Sequence, residues 1–214
     1  MFIVLTYGCP RSGTSYMAEL MHGLVGVTAQ KWKEIATSHP SWSPSGMLDL
    51  AEVFCETPLL FVRTIRHPLE IVRSFYALRE DRGDNVGTAH LANDEMILHM
   101  IRSESTTSEF QIEALRTKEP WCKYMGSVVE VRYEEFGDIP NRGRLVKRIC
   151  ECLPHREENS ALLFSAIENT FGVAAKSARV GRLTTGQPGT ISKTKLEWWK
   201  KNLNDVAERE GYEL

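Results

Sequence analysis

A chain of 214 residues, 42% hydrophobic and 25% charged, carries apolar material for one ordinary globular core, so a single domain over 1–214 is expected. Its 26 basic and 28 acidic residues leave a formal net charge of −2 and form no long run of one sign. That argues against a tail for nucleic acid or membrane and makes any anion site a local one. Five cysteines (Cys9, Cys55, Cys122, Cys150, Cys152) form no C-x-x-C pair and no even framework, which fits a reduced, cytoplasmic setting. The apolar run Phe2-Ile3-Val4-Leu5 is too short for a signal-peptide core or a membrane span.

In chain order, residues 2–7 are β-branched and aromatic and read as a strand. The strand enters Gly8-Cys9-Pro10-Arg11-Ser12-Gly13, after which 14–24 places Tyr16, Met17, Leu20, Met21 and Leu24 at helical spacing. A short strand is expected near Ile35-Ala36-Thr37. The apolar run 59–65 forms the next strand and stops at Arg66-His67-Pro68, where Pro68 suits the first position of a helix through about Leu78. A polar helix over about 93–118 precedes a strand at 127–132. Helices follow at about 142–152, 159–169 and 192–210, with a Gly/Thr/Pro-containing loop from Gly181 to Gly189 between the last two. Strands alternating with helices predict an α/β fold of three layers, with a central, mainly parallel sheet covered on both faces.

Gly8-x-x-x-x-Gly13-Thr14-Ser15 has the glycine spacing and the strand-to-helix setting of a phosphate loop, where successive N–H groups and a helix N-terminus face one anion. The lysine that follows the second glycine in nucleoside triphosphatases is Thr14 here, which disfavours an ordinary kinase or ATPase. Arg11 is the available cation, and its guanidinium suits negative charge developing on a bridging oxygen during group transfer. The bland alternative is a tight turn carrying a surface arginine.

The segment Tyr7-Gly8-Cys9-Pro10-Arg11-Ser12-Gly13-Thr14-Ser15-Tyr16 resembles the 5′-phosphosulfate loop of sulfotransferases that use 3′-phosphoadenosine 5′-phosphosulfate (PAPS), with an arginine as in bacterial and protein-tyrosine members. The resemblance implies a phosphate-loop nucleotide fold and the cosubstrate PAPS. Arg11 would bind the sulfate and the bridging oxygen, Ser12, Gly13, Thr14 and Ser15 would cradle the 5′-phosphate, and Tyr16 would lie against adenine. A second strand exit, Arg66-His67-Pro68-Leu69-Glu70-Ile71-Val72-Arg73-Ser74, is similar to the family's 3′-phosphate motif, an arginine followed eight positions later by a serine. Guanidinium and hydroxyl are suitable donors to a phosphate dianion, and the serine faces that phosphate only if the intervening segment is helical. Read singly, Arg66 is a helix-capping residue and Ser74 a neutral one.

Weaker similarities continue along the chain. Arg132-Tyr133-Glu134-Glu135-Phe136 is similar to a strand-end segment whose tyrosine reaches adenine, Asn169-Thr170-Phe171 to an adenine contact through Phe171, and Arg179-Val180-Gly181-Arg182 to a shortened basic-glycine loop over the 3′-phosphate. In the bland version Phe171 is core and Arg179 and Arg182 are solvated.

Transfer needs a group to take the acceptor's proton. His39, in Thr37-Ser38-His39-Pro40, resembles the base of cytosolic members and has a suitable imidazole; Glu34 competes, as other branches use a glutamate in that region. His22, His67, His90, His99 and His155 form no convincing metal set, and no metal is expected. The acceptor is a small molecule, carbohydrate or peptide whose identity residues 77–126 do not reveal. The rival readings are a phosphoryl-transfer enzyme of the same loop architecture and a nucleotide-binding protein without catalysis.

Overall fold

The computed structural model describes residues 2–31, 59–82, 93–117, 125–171 and 191–214. Four described strands, β1 (Phe2–Gly8), β2 (Val27–Lys31), β3 (Leu59–Ile65) and β4 (Met125–Arg132), form one sheet in the order β2-β1-β3-β4. Every pairing in it is parallel. A strand at 27–31, which the sequence reading did not foresee, lies beside β1; the strand expected near 35–37 falls outside the described residues.

Helices flank the sheet on two sides. On one face α1 (Thr14–His22) contributes Met17, Leu20 and Met21 to a core with Val4, Leu60, Val62, Val129 and Val131. The same core takes residues from α4 (Glu134–Gly137), α5 (Ile139–Cys150) and α6 (Arg156–Phe171). The alternate strand residues Ile3, Leu5 and Phe61 are buried too, so strand periodicity turns them to the opposite face. There α2 (Pro68–Arg82), α3 (Asp94–Thr117) and α7 (Lys193–Glu210) build a second core around Phe75, Ile101, Trp199 and Leu203. The arrangement is an α/β fold with an all-parallel sheet between helices. No helix among the described residues is long and apolar enough to cross a membrane.

This topology decides where a ligand can sit. The chain leaves β1 for α1 on one face and leaves β3 for α2 on the other, although β1 and β3 are neighbours. A crevice opens between such divergent strand ends, and open parallel sheets bind ligands there. The two motifs singled out in the sequence, at 8–15 and 66–74, are the loops that line this crevice.

Candidate anion-binding site at the ends of β1 and β3

The first loop is shaped by backbone conformations that few side chains permit. Gly8 has φ +146° and Gly13 φ +99°, and Arg11, a non-glycine residue, sits at φ +73°. A Cβ on Gly8 would fall 2.3 Å from the Thr64 carbonyl oxygen, and one on Gly13 would fall 2.5 Å from Cδ2 of Tyr133. Both glycines are thus fixed by crowding as well as by dihedral angle. Ser12 N–H closes a turn onto the Cys9 carbonyl at 3.0 Å, and Met17 N–H makes the first bond of α1 to Gly13 O at 2.9 Å. The amides of Thr14, Ser15 and Tyr16 stand ahead of that ladder, at the positive end of the helix. Gly13, the N-cap, has no side chain to cover them.

Beneath the loop, three hydroxyls meet. Ser12 Oγ and Thr64 Oγ1 are 2.8 Å apart, Thr14 Oγ1 and Thr64 Oγ1 3.0 Å, and Thr64 also donates to Tyr7 O at 3.2 Å. Ser12 is fully buried, so its side chain pins the loop to β3 while Ser15 is exposed at the start of α1.

The second loop approaches the first directly. Arg11 Nε donates to Ser74 Oγ at 2.9 Å, and Arg66 Nη1 donates to the Arg11 carbonyl at 3.2 Å, joining positions 63 and 55 residues apart. The segment from 68 to 74 is helical, as the eight-residue spacing requires. The Arg66 guanidinium lies over the Tyr133 ring, 4.4 Å from its centroid, a cation–π contact. Burial pushes the Tyr133 hydroxyl pKa up, against the opposing pull of Arg66 and Arg11.

Aromatic residues adjoin these cations. Tyr16 meets Phe136 and Phe171 edge-on at 5.2 Å each, Phe136 and Phe171 stack at 5.5 Å, and Tyr133 contacts the same two rings at 5.9 and 6.1 Å. The fold thereby brings Tyr16, Tyr133 and Phe171 together from three elements. Burial raises Tyr16 to about 12. Arg142 holds the cluster from below: it is fully buried, donates from Nε to Phe136 O at 2.7 Å and from Nη2 to Phe171 O at 2.9 Å, and pairs with Glu168.

Between Gly8–Cys9 and Thr64–Arg66 the crevice continues into a small cavity of about 20 Å³. Arg63, Ser105 and Glu210 line it, and Arg63 is locked there to Glu210 at 2.6 Å and Glu130 at 2.9 Å.

Arg11, Ser12, Gly13, Thr14, Ser15, Tyr16, Arg66, Ser74, Tyr133 and Phe171 thus belong to one neighbourhood. His39, Glu34, Arg179 and Gly181 lie outside the described residues. Thr64, Glu134, Phe136 and Arg142 went unnoticed as site residues in the sequence. A hydroxyl two positions before the strand-end arginine was the one available hint of Thr64. Among the described residues no group of three or more His, Cys, Asp or Glu side chains is arranged to hold a metal. Comparison with family models, curated proteins and solved structures finds no match to this chain.

Proposed function

We propose that the crevice binds an adenosine bisphosphate and that the protein is a phosphate-loop sulfotransferase, moving a sulfuryl group from PAPS to an acceptor hydroxyl or amine. The observation that carries this reading is the convergence of Arg11, Arg66 and Ser74 at the divergent ends of β1 and β3. Beside it stand a helix N-terminus with no side-chain cap and an aromatic cluster. These groups fit the nucleotide in kind: N–H groups and a guanidinium for the 5′ end, a guanidinium and a hydroxyl for the 3′-phosphate, rings for the base. Thr14 in the place of a phosphate-loop lysine weighs against the phosphoryl-transfer alternative.

In the proposed reaction the acceptor's lone pair attacks sulfur in line, and the bond between sulfur and the 5′-phosphate oxygen breaks with its electrons passing to that oxygen. Arg11 and the N-terminus of α1 stabilise the charge gathering there. His39, or Glu34 in its stead, takes the acceptor's proton. Arg66 and Ser74 hold the 3′-phosphate, and Arg179 and Gly181 are proposed to close over it. Positioning and charge stabilisation supply most of the rate, and no metal is required.

Calorimetric titration with 3′-phosphoadenosine 5′-phosphate and with ADP tests the reading. The bisphosphate should bind more tightly, and Arg66→Ala should weaken it by about 10- to 150-fold, the worth of a charged hydrogen bond, while leaving ADP nearly unchanged. Equal affinity for the two nucleotides would defeat it.

A further inference from the structure

The segment after α7 has no task in the reaction proposed above, yet it is tied to the second loop. Gly211 ends α7 in a left-handed conformation, φ +70°, and Tyr212 N–H returns to Ala207 O at 2.8 Å, so the chain turns back toward the exit of β3. There Tyr212 O–H donates to Glu134 Oε2 at 2.9 Å. The other oxygen of that carboxylate, Oε1, accepts the backbone N–H of His67 at 2.9 Å. The His67 ring meets the Tyr212 ring edge-on at 5.1 Å, with Nε2 3.0 Å from the Glu213 carbonyl and Nδ1 accepting from Leu69 N–H at 3.2 Å. A ring nitrogen that accepts from an amide carries no proton, which assigns the hydrogen to Nε2 and makes it the donor to Glu213. Arg132 covers the Tyr212 ring, 4.6 Å from its centroid.

The pairing has a simple logic. Tyr133 and Glu134 are adjacent, and they grip the adjacent Arg66 and His67: the ring holds the guanidinium and the carboxylate holds the next amide. Tyr133 N–H also bonds Ile65 O at 2.8 Å, which fixes the strand end just before Arg66. Glu134 is exposed, so without the Tyr212 hydroxyl its carboxylate is held by the His67 amide alone and gains rotamer freedom. An exposed hydrogen bond of this kind adds little to global stability, and its effect falls on the loop it touches.

We infer that Tyr212 is a positioning residue of the second anion site. Acting through Glu134, it fixes the His67 amide and thereby the aim of Arg66 at the 3′-phosphate. The inference rests on the nucleotide reading given above. Its test is Tyr212→Phe, which keeps the ring against His67 and Arg132 and removes only the hydroxyl. Affinities for 3′-phosphoadenosine 5′-phosphate and for ADP are measured by calorimetry, with the melting temperature as a control. The preference for the bisphosphate should fall by about two- to tenfold, as expected for one lost hydrogen bond, with ADP affinity and melting temperature unchanged. In a Glu134→Ala background the same substitution should have no further effect on the preference, because the coupling runs through that carboxylate. An unchanged preference in Tyr212→Phe, or an equal loss for both nucleotides, overturns the inference and leaves the nucleotide reading standing. A wild-type protein without any preference removes both.

Discussion

The two loops at the crevice are held in opposite ways. The loop after β1 takes its path from its own backbone: Gly8 and Gly13 permit it and Ser12 closes a turn onto Cys9, while Thr64 and Arg66 of the neighbouring strand and its exit bond the finished loop from outside. The loop after β3 is assembled from distant parts of the chain, with Tyr133 under Arg66, Glu134 on the His67 amide, and Tyr212 and Glu213 behind them. A local loop is set by its own sequence and fails when its backbone is perturbed. An assembled one can be retuned from positions that never touch the ligand.

The comparison can be broken most severely at Gly8. Gly8→Ala places a methyl against the Thr64 carbonyl at a positive φ, so strain and overpacking together should cost about 2–5 kcal/mol in denaturant unfolding. A cost under about 0.5 kcal/mol, the range of an indifferent surface change, would show that the loop is not constrained in this way. Thr64→Val comes next. It keeps the shape but removes the hydroxyl shared by Ser12, Thr14 and Tyr7 O, and stability should drop by about 1–3 kcal/mol as buried polar groups lose a partner. Ser74→Ala sharpens the contrast on the other side: it should leave unfolding almost unchanged and weaken the bisphosphate by about 0.5–1.5 kcal/mol, measured by titration.

The effect confined to alkaline pH is the titration of Tyr16. Its folded pKa, raised to about 12 by burial, exceeds the ordinary value of 10.0, so the folded state keeps a proton that the unfolded chain releases. The resulting stability is complete below about pH 10 and is lost as pH rises toward about 12. Absorbance titration of wild type against Tyr16→Phe should show the missing tyrosine ionising late. Ionisation near pH 10 would contradict its placement in the ring cluster.

The same contrast explains how much the sequence disclosed. The first loop was legible because Gly8, Arg11 and Gly13 carry their conformational meaning locally, and Arg66 with Ser74 because a strand end and the helix after it bring both to Arg11, one at its carbonyl and the other at its Nε. Thr64, Glu134, Arg142 and Tyr212 were illegible because each acts on a residue far away in sequence, through contacts that exist only once the sheet and its helices have packed. Trp199 shows the converse: a tryptophan in an amphipathic helix needs no distant partner to be read as core, and it is buried in the cluster shared with α2. The strand at 27–31 escaped notice because β2 pairs only with β1 in the described sheet, and Val27-Thr28-Ala29-Gln30-Lys31 is short and partly polar. Edge strands of that kind give a weak periodic signal.

The most direct test of the central claim is a crystal structure with 3′-phosphoadenosine 5′-phosphate bound. The account predicts the 5′-phosphate on the amides of residues 14–16 and the 3′-phosphate between Arg66 and Ser74. A nucleotide whose ribose phosphate lies away from the exit of β3, or which binds elsewhere on the protein, would contradict it.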